Sequence, residues 1–258
     1  MRFEVAACTD KGISKSTNQD SLIIKCMSTN FGDMVFAVLC DGMGGLAKGE
    51  LASATVVRAF DSWCNNRLPE LCSTSEKALD ARSIENQWRE LVTEQNNKIK
   101  EYGNQKGENL GTTVVALLLT QENYYLLNVG DSRIYRLGTG IERLTTDQTF
   151  IQREISLGNM TPEQAMKDPR RNVLLQCVGA SAQVEPEFGS GQVEKDTAYL
   201  LCSDGFRHEI TEQEIYSQLC PKEAAGEQQM HDRIKKLIEL DMQRQERDNI
   251  TAALITAR

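Results

Sequence analysis

The chain has 258 residues, 40% of them hydrophobic and 26% charged, with a net charge of −8 and a pI near 5.0. This length suffices for one large domain or two small ones. An acidic chain is not expected to bind nucleic acid or to dock on an anionic membrane. No apolar run approaches the roughly 18 residues of a membrane span, and the start lacks a signal-peptide pattern, so we expect a cytoplasmic protein.

Short apolar runs between turn residues predict β-strands. The predicted strands are Phe3–Cys8, Ser21–Met27, Met34–Cys40, Thr113–Thr120, Tyr124–Val129, Ile134–Leu137, Tyr199–Cys202 and Ile250–Thr256. Within each group the intervals are too short for crossover helices, so we expect these strands to pair antiparallel.

Helical periodicity appears between the strand groups. Three apolar helix faces are predicted: Leu51, Thr55, Phe60 and Trp63; Ile84, Trp88, Leu91, Val92, Gln95 and Ile99; and Met230, Ile234, Leu237, Ile238 and Met242. We interpret the stretch Leu68–Asp80, which contains Pro69, as a surface connection. Clustered strands and paired helices favour an α+β layered domain over alternating βαβ units.

The eight cysteines form no CxxC pair and have no regular spacing. We interpret them as small buried apolar residues in a reducing compartment. A thiolate zinc site would need clustered cysteine and histidine, and the chain has only two histidines, which disfavours such a site.

Five aspartates stand in short motifs, four of them where an apolar run begins or ends. They are Asp20 in STNQDS, Asp41 in LCDGMGG, Asp131 in NVGDSR, Asp204 in LCSDG and Asp248 in RDNIT. Carboxylates brought together from strand ends repel one another unless cations lie between them. Hard oxygen ligands suit magnesium, manganese or calcium rather than zinc. We therefore predict a metal site assembled from distant strands.

Each motif alone also fits a plain structural role. The Asp41 motif could be an ordinary Asp-Gly turn, Asp131 a hairpin turn, and Asp204 a turn at a strand end. The glycines Gly42, Gly44 and Gly45 let the backbone turn tightly and approach a ligand closely. The residues that follow them do not form a phosphate-binding P-loop.

Taken together, the motifs resemble the metal-dependent protein phosphatases of the type 2C (PPM) family, in its short bacterial branch. The resemblance runs from Thr9 to about Ile255. It includes TDKGISKSTNQDS, DGMGGLAKGELAS, GTT at Gly111–Thr113, NVGDSRIYRL, LTTDQT, LCSDG and RDNIT, in the family's order and approximate spacing. The stretch Phe150–Gly179 is similar to the bacterial flap subdomain and its return to the core.

The resemblance implies the architecture of the chain. It implies two antiparallel β-sheets packed as a central sandwich and flanked by helix pairs, an α-β-β-α arrangement within the α+β class. A single phosphatase domain would span residues 1–258, with a small flap subdomain at about 146–178.

The resemblance also implies a set of metal-binding residues. They are Asp41, Gly42 through its carbonyl, Asp204 and Asp248 for two tightly bound Mn²⁺ or Mg²⁺ ions, and Asp131 with Asp204 for a third, weaker ion. Asp20 matches the acidic residue that reaches the centre through water. Asn249 completes the family's Asp-Asn pair.

The implied activity is hydrolysis of phosphoserine and phosphothreonine on proteins. Two divalent ions about 3.5–4 Å apart lower the pKa of a bridging water and clamp the phosphoryl oxygens. The implied partners are phosphorylated proteins, including a cognate serine/threonine kinase in bacterial signalling. We expect a monomer.

The chain departs from the family pattern at three positions. Lys15 stands where the family usually has an arginine that grips the substrate phosphate, and a lysine lacks the planar fork, so we expect weaker substrate capture. Met43 and Gln148 stand where many relatives carry histidine. His208 follows Asp204 closely and could lie near the site, although a lone histidine is more often structural.

Two other functions stay open on the sequence. Lys15 favours a pseudophosphatase, a metal-binding or phosphoprotein-binding regulator with negligible turnover. A carboxylate-pair glycosidase on a β-sandwich would use acidic residues without metals, but it leaves the glycines and the Asp248-Asn249 pair unexplained.

Overall fold

The structure is a computed structural model that describes residues 1–44, 48–75, 78–165 and 167–258. Gly45, one of the three glycines of the Asp41 motif, lies outside the described residues.

The elements follow one another in strand groups and helix groups, as predicted. The strands are β1 Phe3–Asp10, β2 Ser21–Thr29, β3 Gly32–Cys40, β4 Gly42–Gly44, β5 Leu110–Thr112, β6 Val114–Leu119, β7 Asn123–Val129, β8 Arg133–Leu137, β9 Ile141–Arg143, β10 Glu187–Gln192, β11 Thr197–Cys202 and β12 Ile250–Ala257. The helices are α1 Gly49–Asn66, α2 Leu68–Thr74, α3 Ala81–Lys106, α4 Phe150–Ser156, α5 Pro162–Ala165, α6 Glu212–Leu219 and α7 Glu227–Gln243. A 3₁₀ turn covers Asp204–Phe206.

Two antiparallel sheets form the centre of the molecule. One has the strand order β1-β12-β11-β8-β9 and the other β10-β7-β6-β3-β2, while β4 and β5 form a short separate ribbon. Each predicted strand is present, and the pairs are antiparallel as expected. The short strands β4, β5 and β9 and the polar strand β10 were missed because none of them carries an extended apolar run.

Alternation along the strands builds three apolar layers, because successive side chains point to opposite faces of a sheet. Val35 and Leu39 of β3 meet Leu201 of β11 between the sheets. Phe36 and Val38 point the other way and pack under α1 and α3. The outer face of the first sheet packs on α6 and α7. Burial on both faces explains why β3 and β6 are continuously apolar. The predicted helix–sheet–sheet–helix sandwich is therefore confirmed.

An aromatic cluster joins the helix pair α1 and α3 to the second sheet. The Trp88 ring lies 5.4 Å from that of Trp63 and 5.9 Å from those of Phe36 and Phe60, centroid to centroid. Tilted and edge-on aromatic contacts at this range add stability beyond the area they bury.

Two sequence interpretations of local structure were wrong. The stretch Leu68–Asp80 is not simply a surface connection: α2 occupies its first half and buries Leu68, and Pro69 is tolerated there because it lies in the first helical turn. On α1 the predicted face is wrong in its first half: Leu51 is 39% exposed, and Ala52 and Val56 are buried with the correctly predicted Phe60 and Trp63.

The cysteine interpretation holds only in part. All eight cysteines are free thiols. Five are buried, namely Cys40, Cys64, Cys177, Cys202 and Cys220, whereas Cys26 is exposed at the edge strand β2. No helix in the described part of the chain is long and apolar enough to cross a membrane.

Candidate metal centre

The fold brings the five motif aspartates together from five chain segments. Each lies beside a strand end: Asp20 before β2, Asp41 after β3, Asp131 between β7 and β8, Asp204 after β11 and Asp248 before β12. Burial raises the pKa of the Asp41 carboxyl well above its usual value, and the charges of Asp20, Asp204, Asp248 and Asp131 raise it further. The carboxylates therefore share one electrostatic site.

The backbone of Asp41 is held by the GTT motif. The amide of Thr113 and the hydroxyl of Thr112 each donate to the Asp41 carbonyl at 2.9 Å. The Asp41 amide donates to the Thr113 hydroxyl at 3.1 Å. The two threonines thus fix the turn after β3.

Gly42 is required because three backbone segments meet at its Cα. A Cβ at this position would lie 2.3 Å from the carbonyl oxygen of Gly49 and 2.5 Å from that of Gln19. The Gly42 amide donates to the Gln19 carbonyl at 3.2 Å. The glycine therefore docks the start of α1 and the Asp20 segment against Asp41.

Asn249 anchors the N-terminal loop that carries Lys15. Its side-chain Nδ2 donates to the backbone carbonyls of Lys11 at 3.0 Å and Thr17 at 3.1 Å, and its Oδ1 accepts from the backbone amide of Gln19 at 2.9 Å. The Asn249 side chain thus binds backbone groups of the N-terminal loop, whereas the side chain of Asp248 belongs to the acidic cluster.

Asp20 and Asp204 each have a buried oxygen without a partner. Thr251 donates its hydroxyl to Asp20 Oδ2 at 2.6 Å, but Asp20 Oδ1 and Asp204 Oδ1 accept no hydrogen bond within the described residues. Burial is the main cause that raises the pKa of Asp20, and the nearby charges of Asp204 and Asp248 add to it. Buried oxygens are normally satisfied, so these two mark the place of an absent partner.

Lys15 lies inside the acidic cluster. Its ammonium is 2.8 Å from Asp248 Oδ1, and its side chain is 40% exposed. Burial lowers the pKa of Lys15, but the hydrogen bond to Asp248 and the charges of Asp248, Asp41 and Asp204 outweigh it, so the net pKa is raised.

The sequence left open whether His208 lies near the site, and the structure places it between two of the aspartate motifs. Its Nε2 is 3.5 Å from Asp204 Oδ2, and its Nδ1 is 3.3 Å from Glu246 Oε2. Glu246 in turn accepts from the amide of Asp248 at 2.8 Å. Sequence reasoning missed Glu246, although an acidic residue two positions before a motif aspartate was a usable signal.

Arg207 is a second missed residue. Its Nη2 donates to the Asp131 carbonyl oxygen at 2.8 Å and lies 3.4 Å from Asp131 Oδ2. Its side chain is 11% exposed. The signal was a charged residue three positions after the motif aspartate Asp204.

A cavity of about 290 Å³ lies beside Asp131 and His208. Its far wall comes from the segment that contains α4 and α5, including Ile151, Ile155 and Pro162. At the base of that segment, Phe150 donates its amide to the Val173 carbonyl at 2.8 Å, and Thr149 bridges to Leu174. The cavity therefore opens between the sandwich and the α4–α5 segment.

The oxygen donors of the site are suited to hard divalent cations. Among the residues that the structure describes, no three Asp, Glu, His or Cys side chains are placed to hold a metal ion as they stand. Two of the aspartates contact side-chain cations instead, Asp248 with Lys15 and Asp131 with Arg207. The unpartnered oxygens and the mutual repulsion fit carboxylates that await cations, and an all-oxygen donor set suits Mg²⁺ or Mn²⁺.

Comparison with known proteins identifies the family. The family described as "Protein phosphatase 2C" matches residues 11–240. The serine/threonine phosphatase stp of Listeria monocytogenes is 30% identical over 223 residues, covering 85% of this chain and 84% of that protein.

Solved structures agree with this assignment. The serine/threonine phosphatase of S. agalactiae superposes with a TM-score of 0.83 at 28% identity, covering all of both chains. The catalytic domain of the serine/threonine protein phosphatase PstP, solved in complex with two manganese ions, superposes with a TM-score of 0.76 at 27% identity, covering 98% of this chain and 97% of that one. The chain therefore belongs to the protein phosphatase 2C family and is a protein serine/threonine phosphatase.

Proposed function

We propose that this phosphatase hydrolyses phosphoserine and phosphothreonine on proteins at a binuclear Mn²⁺ or Mg²⁺ centre held by Asp41, Asp204, Asp248 and the Gly42 carbonyl. The observation that carries the proposal is the pair of buried, unpartnered oxygens of Asp20 and Asp204 beside Asp41. The manganese-bound structure of a relative that covers nearly the whole chain supports it.

A divalent ion pair supplies an activated water and offsets the repulsion between the phosphate dianion and the carboxylates. The protein contributes the positions of the charges. Thr112 and Thr113 fix the Asp41 turn, and Thr251 orients Asp20 through one oxygen while the other faces the site. Asp20 is proposed to act through water, since it reaches the cluster from the start of β2.

Lys15 is proposed to bind the substrate phosphate. Its ammonium already lies at the mouth of the cluster, and its exposed side chain can turn from Asp248 to an incoming anion. A third and weaker ion at Asp131 and Asp204 belongs to the same proposal.

We also propose how the rest of the chain serves this activity. The chain would act as one domain, with residues 146–178 as a flap beside the cavity next to Asp131. The substrates would be phosphorylated proteins, including a cognate serine/threonine kinase, in bacterial signalling. The enzyme would work in the cytoplasm as a monomer.

The test is phosphate release from p-nitrophenyl phosphate and from a phosphothreonine peptide. Protein stripped with EDTA should be inactive, and added Mn²⁺ should restore turnover. Full activity in metal-free buffer would refute the binuclear centre. Binding of the phosphopeptide without turnover in saturating Mn²⁺ would instead indicate the pseudophosphatase that Lys15 leaves open.

A further inference from the structure

Two side-chain cations lie in the acidic cluster, and they are held differently. Lys15 contacts Asp248 from a loop and is 40% exposed. Arg207 contacts Asp131 and is 11% exposed. A partly exposed ammonium can turn into solvent when a metal ion arrives, whereas a buried guanidinium cannot leave without moving the chain around it.

Arg207 is held to Asp131 by more than charge. One nitrogen donates to the Asp131 backbone carbonyl at 2.8 Å, and that contact persists whether or not the carboxylate binds something else. The same nitrogen is 3.4 Å from Asp131 Oδ2. Because a guanidinium keeps its proton at any ordinary pH, this positive charge is permanent.

Arg207 lies between two carboxylates, of which Asp131 is the nearer. The neighbouring Asp147 is 3.8 Å from Arg207 but is already gripped by Arg133, whose two nitrogens donate to its two oxygens at 2.8 and 2.6 Å. The charge of Arg207 also opposes the rise that burial imposes on the pKa of Asp131.

We propose that Arg207 is a built-in counter-ion of Asp131 that competes with a third metal ion, so that only two ions are bound at low metal concentration. The inference rests on the proposed function, because it assumes that Asp41, Asp204 and Asp248 hold the two tight ions. A dication shared by Asp131 and Asp204 would lie within a few ångströms of the guanidinium and be repelled by it. Arg207 thereby sets the metal concentration at which the third site fills.

The experiment counts Mn²⁺ bound to metal-free protein by equilibrium dialysis with spin-resonance detection of the free ion. Wild-type protein should bind two ions tightly and a third far more weakly. Arg207→Gln should tighten the third site by roughly tenfold or more, since a unit charge a few ångströms away is removed, and leave the two tight sites unchanged. Thermal unfolding of each variant checks that it is folded.

Two further variants act as controls. Arg207→Lys keeps the positive charge and should bind the third ion as weakly as wild type. Arg143→Gln removes an arginine that is 3.7 Å from Asp147 and is not a partner of Asp131, so it should also behave as wild type. These comparisons separate the charge beside Asp131 from a general loss of positive charge.

Several results would overturn the inference. Three equally tight sites in the wild type would do so without any variant, which covers the case in which Arg207→Gln does not fold. An unchanged third site in folded Arg207→Gln, or a tightened one in Arg207→Lys or Arg143→Gln, would also contradict it. Failure of the proposed function is distinguished by Asp41→Asn: if this variant keeps both tight sites, the binuclear assignment fails whatever Arg207 does.

Discussion

Two pairs of aspartates in the acidic cluster differ in what balances their charge. In one pair, here called the outer pair, Asp248 and Asp131 each contact a side-chain cation, Lys15 and Arg207. In the other pair, here called the inner pair, Asp20 and Asp204 each keep a buried oxygen to which no described residue donates a hydrogen bond. Within the described residues, lysine and arginine side chains therefore contact the outer pair and not the inner pair.

This difference assigns distinct tasks to the two pairs. Burial and mutual repulsion of the carboxylates raise the pKa of Asp41 well above its usual value, and the repulsion is relieved when divalent ions bind. The outer carboxylates already contact a cation, although burial still raises the pKa of Asp131 to about 7. Because Asp204 of the inner pair is assigned with Asp41 to the two tight ions, removal of either carboxylate should be more damaging to turnover than a change at Asp131 or Lys15.

The largest effect is expected at Asp41 and Asp204. Asp41→Asn or Asp204→Asn should lower kcat by roughly three orders of magnitude or more, because each is assigned to more than one ion. Without metal, either variant should melt at a higher temperature than wild type because carboxylate repulsion is relieved. The measurements are steady-state kinetics and thermal unfolding, with the surface change Asp232→Asn as the matched control. Near-normal rates in either variant would reject the assignment.

At Asp131, in the outer pair, the loss of activity should be intermediate. Asp131→Ala should keep two tightly bound ions but lower activity on the order of 10- to 100-fold, which corresponds to about 1.4–2.8 kcal/mol of barrier. It should also destabilise the fold by roughly 1–3 kcal/mol, because the buried Arg207 charge loses its nearer carboxylate and keeps only Asp147, 3.8 Å away. Calorimetric metal counting and chemical unfolding test both statements. Loss of the tight sites would place Asp131 in the primary centre instead.

At Lys15, the partner of Asp248, a substitution should mainly weaken substrate binding. A charged hydrogen bond contributes roughly 1.5–3 kcal/mol, so Lys15→Ala should raise KM about tenfold or more for a phosphothreonine peptide. Lys15→Arg should preserve or improve capture, because the fork can make two hydrogen bonds. If Lys15→Ala leaves both kinetic constants unchanged, the ammonium is a solvated charge and the phosphate is gripped elsewhere.

The smallest effect concerns Asp241 on α7, a buried carboxyl outside the cluster. Neither of its oxygens has a hydrogen-bond partner in the described part of the chain, and burial, with the charge of Glu246, raises its pKa to about 8. The folded state therefore keeps a proton that the unfolded state releases near pH 4, so this residue lowers stability progressively between pH 4 and pH 8.

Replacement of Asp241 isolates that contribution. Asp241→Asn should raise the free energy of unfolding at pH 8 by on the order of 1–3 kcal/mol and have little effect at pH 4. Added Mn²⁺ should not alter the difference, because Asp241 is not assigned to metal. A pH-independent change, or one that metal abolishes, would contradict this account.

Patterns along the chain were sufficient to predict the fold class, and they singled out the five aspartates that the fold brings together. Alternating or continuous apolar runs marked the main strands, because burial on one or both faces leaves a local signature. The polar strand β10 and the short ribbon of β4 and β5 gave no such signature, since they pair through backbone groups that every residue has. The helix α2 was missed because proline and hydroxyl residues suggested a loop.

The amino-acid sequence by itself determined that this chain is a phosphatase of the type 2C kind, because the motifs that carry the carboxylates are local and keep their order. Only the tertiary structure decided which cation faces which carboxylate. Arg207 is three residues from Asp204 yet pairs with Asp131, and Lys15 pairs with Asp248 from the opposite end of the chain. Such pairings depend on distances between strand ends that antiparallel packing sets, and these distances leave no trace in residue spacing.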